Sequence, residues 1–392
     1  MRYAEVVNHL EGQGYGGWRV HMKARQMIAA GIDVILLTIG DPDFDTPTPI
    51  VDAAVASLRR GRTHYVPAAG ELALRKAIAA HHARQTGQLV SHENVAIMQG
   101  AQCGLYVATQ CVLQPGDEVI LTDPVYSTYP PTIGATGAKA VYVPLHAACN
   151  FHPDLEEIAA AITPHTRAIL LNTPHNPTGS VLRRDEFERL ADLVLEHDLW
   201  LITDEVYSNF TYTHPHFSPA GIARIADRCV TISSLSKSHA MTGWRVGWIV
   251  GPTQLIQYAD LLLSVMAYGG APFIQDGALV AFTTEIAEVE TMRLAYRRRA
   301  EVVAEYLSDT PGIHCCETEG GMYALLDVRD SGLPSMEVAD QLCAEAHVAL
   351  LPGDAFGPNL QGYLRLSLVV PEARLVEACE RVRRFAVAHF GS

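Results

Sequence analysis

Seven short apolar, β-branched runs recur between residues 46 and 250, and helical patterns separate several of them. The runs are Val95–Met98, Glu118–Leu121, Ala140–Val143, Ala168–Leu171, Trp200–Thr203, Val230–Ser233 and Val246–Val250. Most are continuous rather than alternating, as strands covered on both faces must be. Helical segments at Glu71–Gln85 and at Arg184–His197, the latter with Asp185 as its cap, lie between runs. Such alternation specifies an α/β chain: a three-layer αβα domain around a mostly parallel seven-stranded sheet.

The flanking segments read differently. From Pro272 to about Asp309 the pattern is helical, with no strong breaker after Gly277, and is long enough to bridge two domains. A Gly320-Gly321 turn, a strand at Met322–Val328, a helix near Ser335–His347, strands at Val348–Leu351 and Tyr363–Leu368, and a helix from Glu372 form a smaller α+β domain. The first 45 residues, with one helix and the strand Val34–Ile39, are expected to pack near it. The expected division is a large domain over 46–284 and a small domain from 1–45 and 285–392.

Composition matters for what it excludes. The 392 residues are 48% hydrophobic, enough to bury a large core, which rules out a disordered chain or a small disulfide scaffold. A net charge of −14 argues against nucleic-acid binding through a broad basic face. No apolar run approaches the ~18–20 residues that span a bilayer. Met1–Leu10, with Glu5, Asn8 and His9, does not read as a secretory leader. Eight cysteines without a CxxC read as reduced thiols of a cytoplasmic protein. There is no HExxH and no Cys/His cluster for a metal, and His81-His82 is expected to be solvated.

In open α/β sheets, ligands bind beyond the carboxyl ends of the strands. The first run ends in Gln99-Gly100-Ala101-Gln102 at a helix start, a backbone-amide cradle suited to phosphate. Four others end in Asp123-Pro124-Val125-Tyr126, in Asn172 through Gly179, in Asp204-Glu205-Val206-Tyr207, and in Ser234-Leu235-Ser236-Lys237. Five strand ends thus bring polar, aromatic and ionisable groups to one edge. Of four lysines, Lys23 and Lys76 fall on polar helix faces and Lys139 in a loop. Lys237 alone sits at a strand end, with Arg245 eight residues on. Desolvation or a nearby cation would lower its pKa and make it reactive.

The segment Ser234-Leu235-Ser236-Lys237-Ser238-His239-Ala240-Met241-Thr242-Gly243-Trp244-Arg245-Val246-Gly247 resembles the signature of class I pyridoxal-phosphate aminotransferases, the aspartate aminotransferase fold. The resemblance extends to Gly40–Pro47, Tyr65, Asn176–Gly179, Asp204–Tyr207, Pro352-Gly353 and Arg365. Within that family the chain looks most like arginine–pyruvate aminotransferases, on Gly100-Ala101-Gln102-Cys103 and Ser234–Trp248.

The resemblance implies a role for each matching residue. Lys237 would bond covalently to pyridoxal 5'-phosphate and, once displaced, act as general acid–base at the substrate Cα. Asp204 would keep the pyridine nitrogen protonated, so the ring acts as an electron sink. Tyr207 and Asn176 would donate to the ring O3′, and Tyr126 would stack on its face. The amides of Ala101 and Gln102, with Ser234, Ser236 and Arg245, would hold the phosphate; a side-chain contact from Gln102 stays open. Arg365 would clamp the substrate α-carboxylate, with Gly40 and Asn176 completing that pocket. The resemblance also implies a homodimer, with Tyr65 reaching the neighbouring subunit's phosphate, and cis peptides at Asn176-Pro177 and Asp123-Pro124.

The expected reaction is ping-pong transfer of an amino group from an L-amino acid to a 2-oxo acid. No lysine is suited to meet a second substrate carboxylate, and Asp41, Asp43 and Asp45 lie close to Gly40, so at least one could face a cationic side chain. Arginine as donor and pyruvate as acceptor are therefore expected. Alternatives are a preference for aspartate, aromatic amino acids or alanine, a β-lyase or cyclising synthase on the same fold, and a non-enzymatic sensing domain.

Overall fold

A computed structural model describes residues 3–10 and 18–391 of the chain. A helix over Trp18–Ala29 precedes the short strand β1 (Ile35–Leu36). The seven apolar runs form one sheet: β2 (Val95–Met98), β3 (Glu118–Asp123), β4 (Lys139–Pro144), β5 (Thr166–Asn172), β6 (Trp200–Asp204), β7 (Cys229–Ser234) and β8 (Gly247–Val250). Their order is β2-β8-β7-β6-β5-β3-β4. Only β8 runs against its neighbours, antiparallel to both β2 and β7.

The continuous apolarity of the runs has the expected cause. Successive side chains point to opposite faces, and each face is covered. Leu170, Ile202, Ile232 and Ile249 pack on one side with Leu105 and Leu263; Ile169, Leu171 and Leu201 pack on the other with Phe187 and Leu190. β4 covers the edge and is correspondingly half exposed. From β3 the chain winds outward to β4, then returns past β3 to β5 and proceeds in the other direction. A crevice opens at such a reversal, beyond the carboxyl ends of the strands.

The C-terminal part forms a second sheet, β9 (His314–Cys315), β10 (Tyr323–Asp327), β12 (Leu351–Pro352) and β13 (Tyr363–Ser367), in the order β12-β13-β10-β9, all antiparallel. The intervening β11 (Val348–Ala349) instead pairs parallel with β1. Val20, Ala24, Ile35 and Leu37 share one core with Val302, Leu342, Leu364, Leu375 and Val382, so the two ends of the chain bury each other.

Several local expectations are corrected. The helical stretch from Pro272 is two helices, Pro272–Thr283 and Ala287–Leu307. Thr284 and Ile286 adopt extended conformations between them; both are β-branched, which weakens their helix preference, and Ile286 is buried in the core beside Leu74 and Met241. Asp185 lies inside the first helical turn, and Glu186 instead closes that end by accepting from the Arg183 amide at 2.6 Å. The helix near Ser335 is regular only to Gln341 and ends in a π-helical turn over Leu342–Ala346. His81-His82 is not solvated: the His81 ring packs edge-on against Phe282, and buried His82 bonds Gln88 at 2.8 Å. Burial holds the His81 imidazole neutral, down to about 4.

Candidate active site

The crevice is a cavity of about 270 Å³. Its walls include Gly40, Ala101, Gln102, Tyr126, Asn176, Asp204, Tyr207, Ser234, Ser236, Lys237, Arg245 and Arg365. Of the candidates for catalysis, cofactor binding and the substrate carboxylate, only Tyr65 lies elsewhere, on the surface, and the loop carboxylates Asp41, Asp43 and Asp45 do not line the cavity. Lys237 brings the only lysine amine to the cavity walls, and its Nζ donates to the Gly40 carbonyl at 2.6 Å.

The first wall is the junction of β2 with the helix Ala101–Val112. Gly100 turns the chain at φ 86°, a conformation natural to glycine, and offers no side-chain cap to the first-turn amides. Those amides remain available to an anion. Gly247 of β8 packs directly against this turn; a Cβ there would lie 2.7 Å from the Gly100 carbonyl carbon and 2.8 Å from the Ala101 nitrogen. Arg245 closes the corner, donating to the carbonyls of Thr242 at 2.9 Å and Gln99 at 3.1 Å. Ser234 accepts from the Ser236 amide at 3.3 Å. The side chain of Gln102 is already engaged: it donates to Thr132 at 2.8 Å and accepts from Thr128 at 2.7 Å.

The floor is Asp204, at the end of β6. Its Oδ2 accepts from the Tyr129 hydroxyl at 2.8 Å and its Oδ1 from the Val206 amide at 3.2 Å. Burial pushes this carboxyl up to about 6, while Tyr129 and Val206 favour its charged form. Asn172, ending β5, donates to the Asp204 carbonyl at 2.9 Å and accepts from the Asn176 amide at 2.8 Å. The Asn172–Gly179 segment is thereby locked to β6. Asp123-Pro124 and Asn176-Pro177 are cis, as the resemblance implies, and Thr173-Pro174, which the sequence did not suggest, is cis as well.

The opposite wall comes from the second sheet. Arg365, buried on β13, donates to Asn176 Oδ1 at 2.9 Å and to the Thr38 carbonyl at 2.6 Å. Its guanidinium lies 4.1 Å from the Tyr323 ring centroid and 4.7 Å from that of Phe356. Its Nε has no partner among the described residues. The Tyr323 hydroxyl is 3.2 Å from that of Tyr207. Burial raises Tyr207 well above the ordinary phenol value, so it is a neutral hydroxyl able to donate.

Tyr129, Tyr323, Phe356 and the Thr38 carbonyl were missed from sequence, and Asn172 was read only as the start of a strand-end segment, with no role of its own. Tyr129 sits three residues after Tyr126, a spacing that puts both near one helix start and was the available signal. Tyr323 follows the Gly320-Gly321 turn, and only the antiparallel pairing of β10 with β13 brings it beside Arg365. Of the three loop carboxylates, Asp43 does not face the cavity. Arg299 takes both its oxygens, at 2.7 and 2.9 Å. Asp41 accepts from Thr242, a cavity-wall residue, at 2.7 Å.

A family model for aminotransferases of class I and II matches residues 32–382. The chain is 47% identical over 391 residues to an arginine–pyruvate transaminase of Pseudomonas aeruginosa, covering 100% of each. It is 36% identical over 354 residues to an aspartate aminotransferase of Pyrococcus horikoshii, covering 90% of each. Among solved structures, a mutant of Thermus thermophilus aspartate aminotransferase superposes with a TM-score of 0.93 at 35% identity, covering 98% of this chain and 100% of that one.

Proposed function

The chain belongs to the class I and II aminotransferases, and on that premise we propose that it transfers the amino group of L-arginine to pyruvate with pyridoxal 5'-phosphate held in the cavity described above. The convergence of Lys237, Asp204 and Arg365 on one cavity carries this reading.

The residues present fit the cofactor. A buried carboxylate suits a protonated ring nitrogen, uncapped helix amides beside Arg245 suit a phosphate, and the Lys237 amine suits an aldehyde. Bound there, pyridoxal phosphate supplies the electron sink for cleavage at the substrate Cα. Asp204 would hold a proton on the pyridine nitrogen, with Tyr129 favouring its charged form. Tyr207 and Asn176 would donate to the ring O3′, and Tyr126 would cover the ring. Ser234, Ser236, Arg245 and the Ala101 and Gln102 amides would hold the phosphate. Arg365 receives the α-carboxylate, with Asn176 and Gly40 beside it. Lys237 Nζ moves the proton at the substrate Cα.

Donor preference follows from charge. The cations among the described wall residues are Lys237, Arg245 and Arg365, each already assigned. No further cation there meets a second carboxylate, whereas Trp18 lines the cavity and Asp41 is one hydrogen bond behind Thr242. An aromatic face and a carboxylate suit a guanidinium. The relative at 47% identity, named for the same pair of substrates, supports this choice.

A homodimer in the cytoplasm is part of this proposal. The eight free cysteines are in keeping with a reducing compartment; no described helix is long and apolar enough to cross a membrane. Tyr65, 85% exposed, packs edge-on against Tyr268; with Tyr258, Leu261 and Val265 it leaves an apolar face uncovered, which a second copy would bury. Full activity of a monomer at micromolar concentration would exclude this.

The test of function is a single half-reaction. Stoichiometric L-arginine, added without an oxo acid, should convert the bound cofactor to its amine form, seen as loss of the near-ultraviolet and visible aldehyde-state absorbance. Pyruvate should restore it. A cofactor spectrum that arginine leaves unchanged overturns the donor assignment.

A further inference from the structure

A second ionic cluster, half-buried and built on His152, lies outside the cavity. Its Nδ1 meets Glu186 Oε1 at 2.7 Å and its Nε2 meets Glu319 Oε2 at 3.0 Å. Both ring nitrogens thus face carboxylates, and the ring is an imidazolium. Burial opposes that charge and the two carboxylates outweigh it, holding His152 up to about 9. Burial likewise opposes the Glu319 charge, and His152, the Val181 amide at 2.8 Å and Asn150 at 3.2 Å bring that group down to about 2. Arg183 at 3.6 Å and His214 at 3.8 Å also face Glu319, and Glu186 accepts from the Arg183 amide.

The three members come from separate parts of the fold. His152 follows β4, Glu186 lies on the helix Arg184–Glu196, and Glu319 immediately precedes the Gly320-Gly321 turn into β10. That turn is tied to the site's other half. The Gly320 amide donates to the Gly179 carbonyl at 2.9 Å, at the end of the segment carrying Asn176, and the Gly321 amide donates to Phe210 at 2.7 Å. A Cβ at Gly320 would meet the Phe210 carbonyl at 2.6 Å, so the two strands of chain are in full contact. Four residues beyond Glu319, Tyr323 stacks on Arg365, and Leu325 pairs in register with it.

We propose that His152 is a positioning residue for the substrate-carboxylate pocket: by joining Glu319 to Glu186 it fixes the start of β10 against the Asn176–Gly179 segment, and so sets Arg365 relative to Asn176. A neutral imidazole can donate to only one of the two carboxylates. The other would then lose the cation it shares with its neighbour, leaving Glu186 with the Arg183 amide, or Glu319 with the Val181 amide, Asn150 and the more distant Arg183 and His214. The β10 strand would lose its anchor at the turn where both halves of the carboxylate pocket meet. The inference rests on the reading that Arg365 and Asn176 receive the substrate carboxylate.

The test is inhibition of the cofactor-loaded enzyme by propionate, a carboxylate with no amine to titrate, between about pH 7 and 10. Wild type is compared with His152→Gln and Glu186→Gln. The inhibition constant of His152→Gln is expected about tenfold above wild type near pH 7, with kcat for arginine within about twofold. The ratio should fall toward one near pH 10, where the wild-type imidazolium has released its proton. Titrations common to both enzymes cancel in that ratio. Glu186→Gln should give a smaller shift of the same sign, and it stands in if His152→Gln does not fold. A ratio of one near pH 7 in the folded variants, or a ratio independent of pH, overturns the proposal. An Arg365→Lys control separates the two ideas: if it leaves propionate inhibition unchanged, the carboxylate reading fails and takes this one with it; if it weakens inhibition while the His152 ratio stays flat, only the positioning role fails.

Discussion

Tyr129 donates its hydroxyl to Asp204 at 2.8 Å, across 75 residues of sequence, and both groups are buried. A buried carboxylate needs donors to remain charged, and Asp204 has this side chain and one amide. Tyr129→Phe removes the stronger of the two while keeping the ring. A hydrogen bond to a charged group contributes about 1.5–3 kcal/mol, so kcat should drop about tenfold or more, with cofactor affinity changed less. Stopped-flow measurement of the arginine half-reaction reads the effect directly.

The same environment predicts a pH dependence of stability in cofactor-free protein. Burial raises Asp204 to about 6, above its value in the unfolded chain. The folded protein then keeps a proton that the unfolded chain has released, so this group's contribution is present at low pH and lost as pH rises through about 6. Calorimetric Tm values between about pH 4 and 7 should contain that downward component, and Asp204→Asn should remove it. An identical pH profile in the variant would contradict the raised value.

Lys237→Ala should abolish turnover and leave the cofactor bound without a covalent link. Lys76 and Lys139 are exposed, and Lys23, which does not line the cavity, is held by the Asp340 carbonyl at 3.0 Å. Borohydride reduction of wild type followed by peptide mapping should place the label on Lys237 alone. A label on any other lysine would refute the assignment.

Gly40→Ala tests the carboxylate wall. The added Cβ would run into the Tyr323 hydroxyl, and the Tyr323 ring supports Arg365. The ring must move, so KM for both substrates should rise about tenfold, with a smaller fall in kcat. Equal losses in kcat and kcat/KM with KM unchanged would show that the ring is not part of ground-state binding.

For donor choice, kcat/KM with pyruvate should be higher for L-arginine than for L-aspartate. An aspartate value tenfold or more above arginine, about 1.4 kcal/mol in transition-state terms, would overturn the arginine assignment and leave the aminotransferase assignment intact.

Six of the seven strands of the main sheet were legible because each is buried on both faces, which writes a short continuous apolar run into the chain; the half-exposed edge strand β4 was legible from its β-branched Val141 and Val143. The polar residues that end those runs were legible for the same reason: a strand end in such a sheet opens on the crevice. Tyr323 and the Thr38 carbonyl were not, since their place beside Arg365 depends on how the second sheet returns to the first, and no local pattern encodes that. Asp43 looked like a substrate contact because it sits three residues from Gly40. Its partner Arg299 lies 256 residues away on a helix face that reads as ordinary surface. The break at Thr284–Ile286 was hidden because no glycine or proline marks it.

That Asp43–Arg299 pair has a mechanical consequence. Arg299 also lies 5.2 Å from the Phe44 ring centroid, so the loop after Gly40 is fastened by charge and by stacking to the long helix of the C-terminal half. The same loop is held from the other side, where Asp41 accepts from Thr242 and Thr46 donates to the Ala240 carbonyl at 2.7 Å, so the carbonyl that accepts from Lys237 sits where fastenings from both directions meet. The Lys237 amine is thereby seated against a backbone atom clamped on two sides, a fixed stop for the nitrogen to which the proton transfer is assigned.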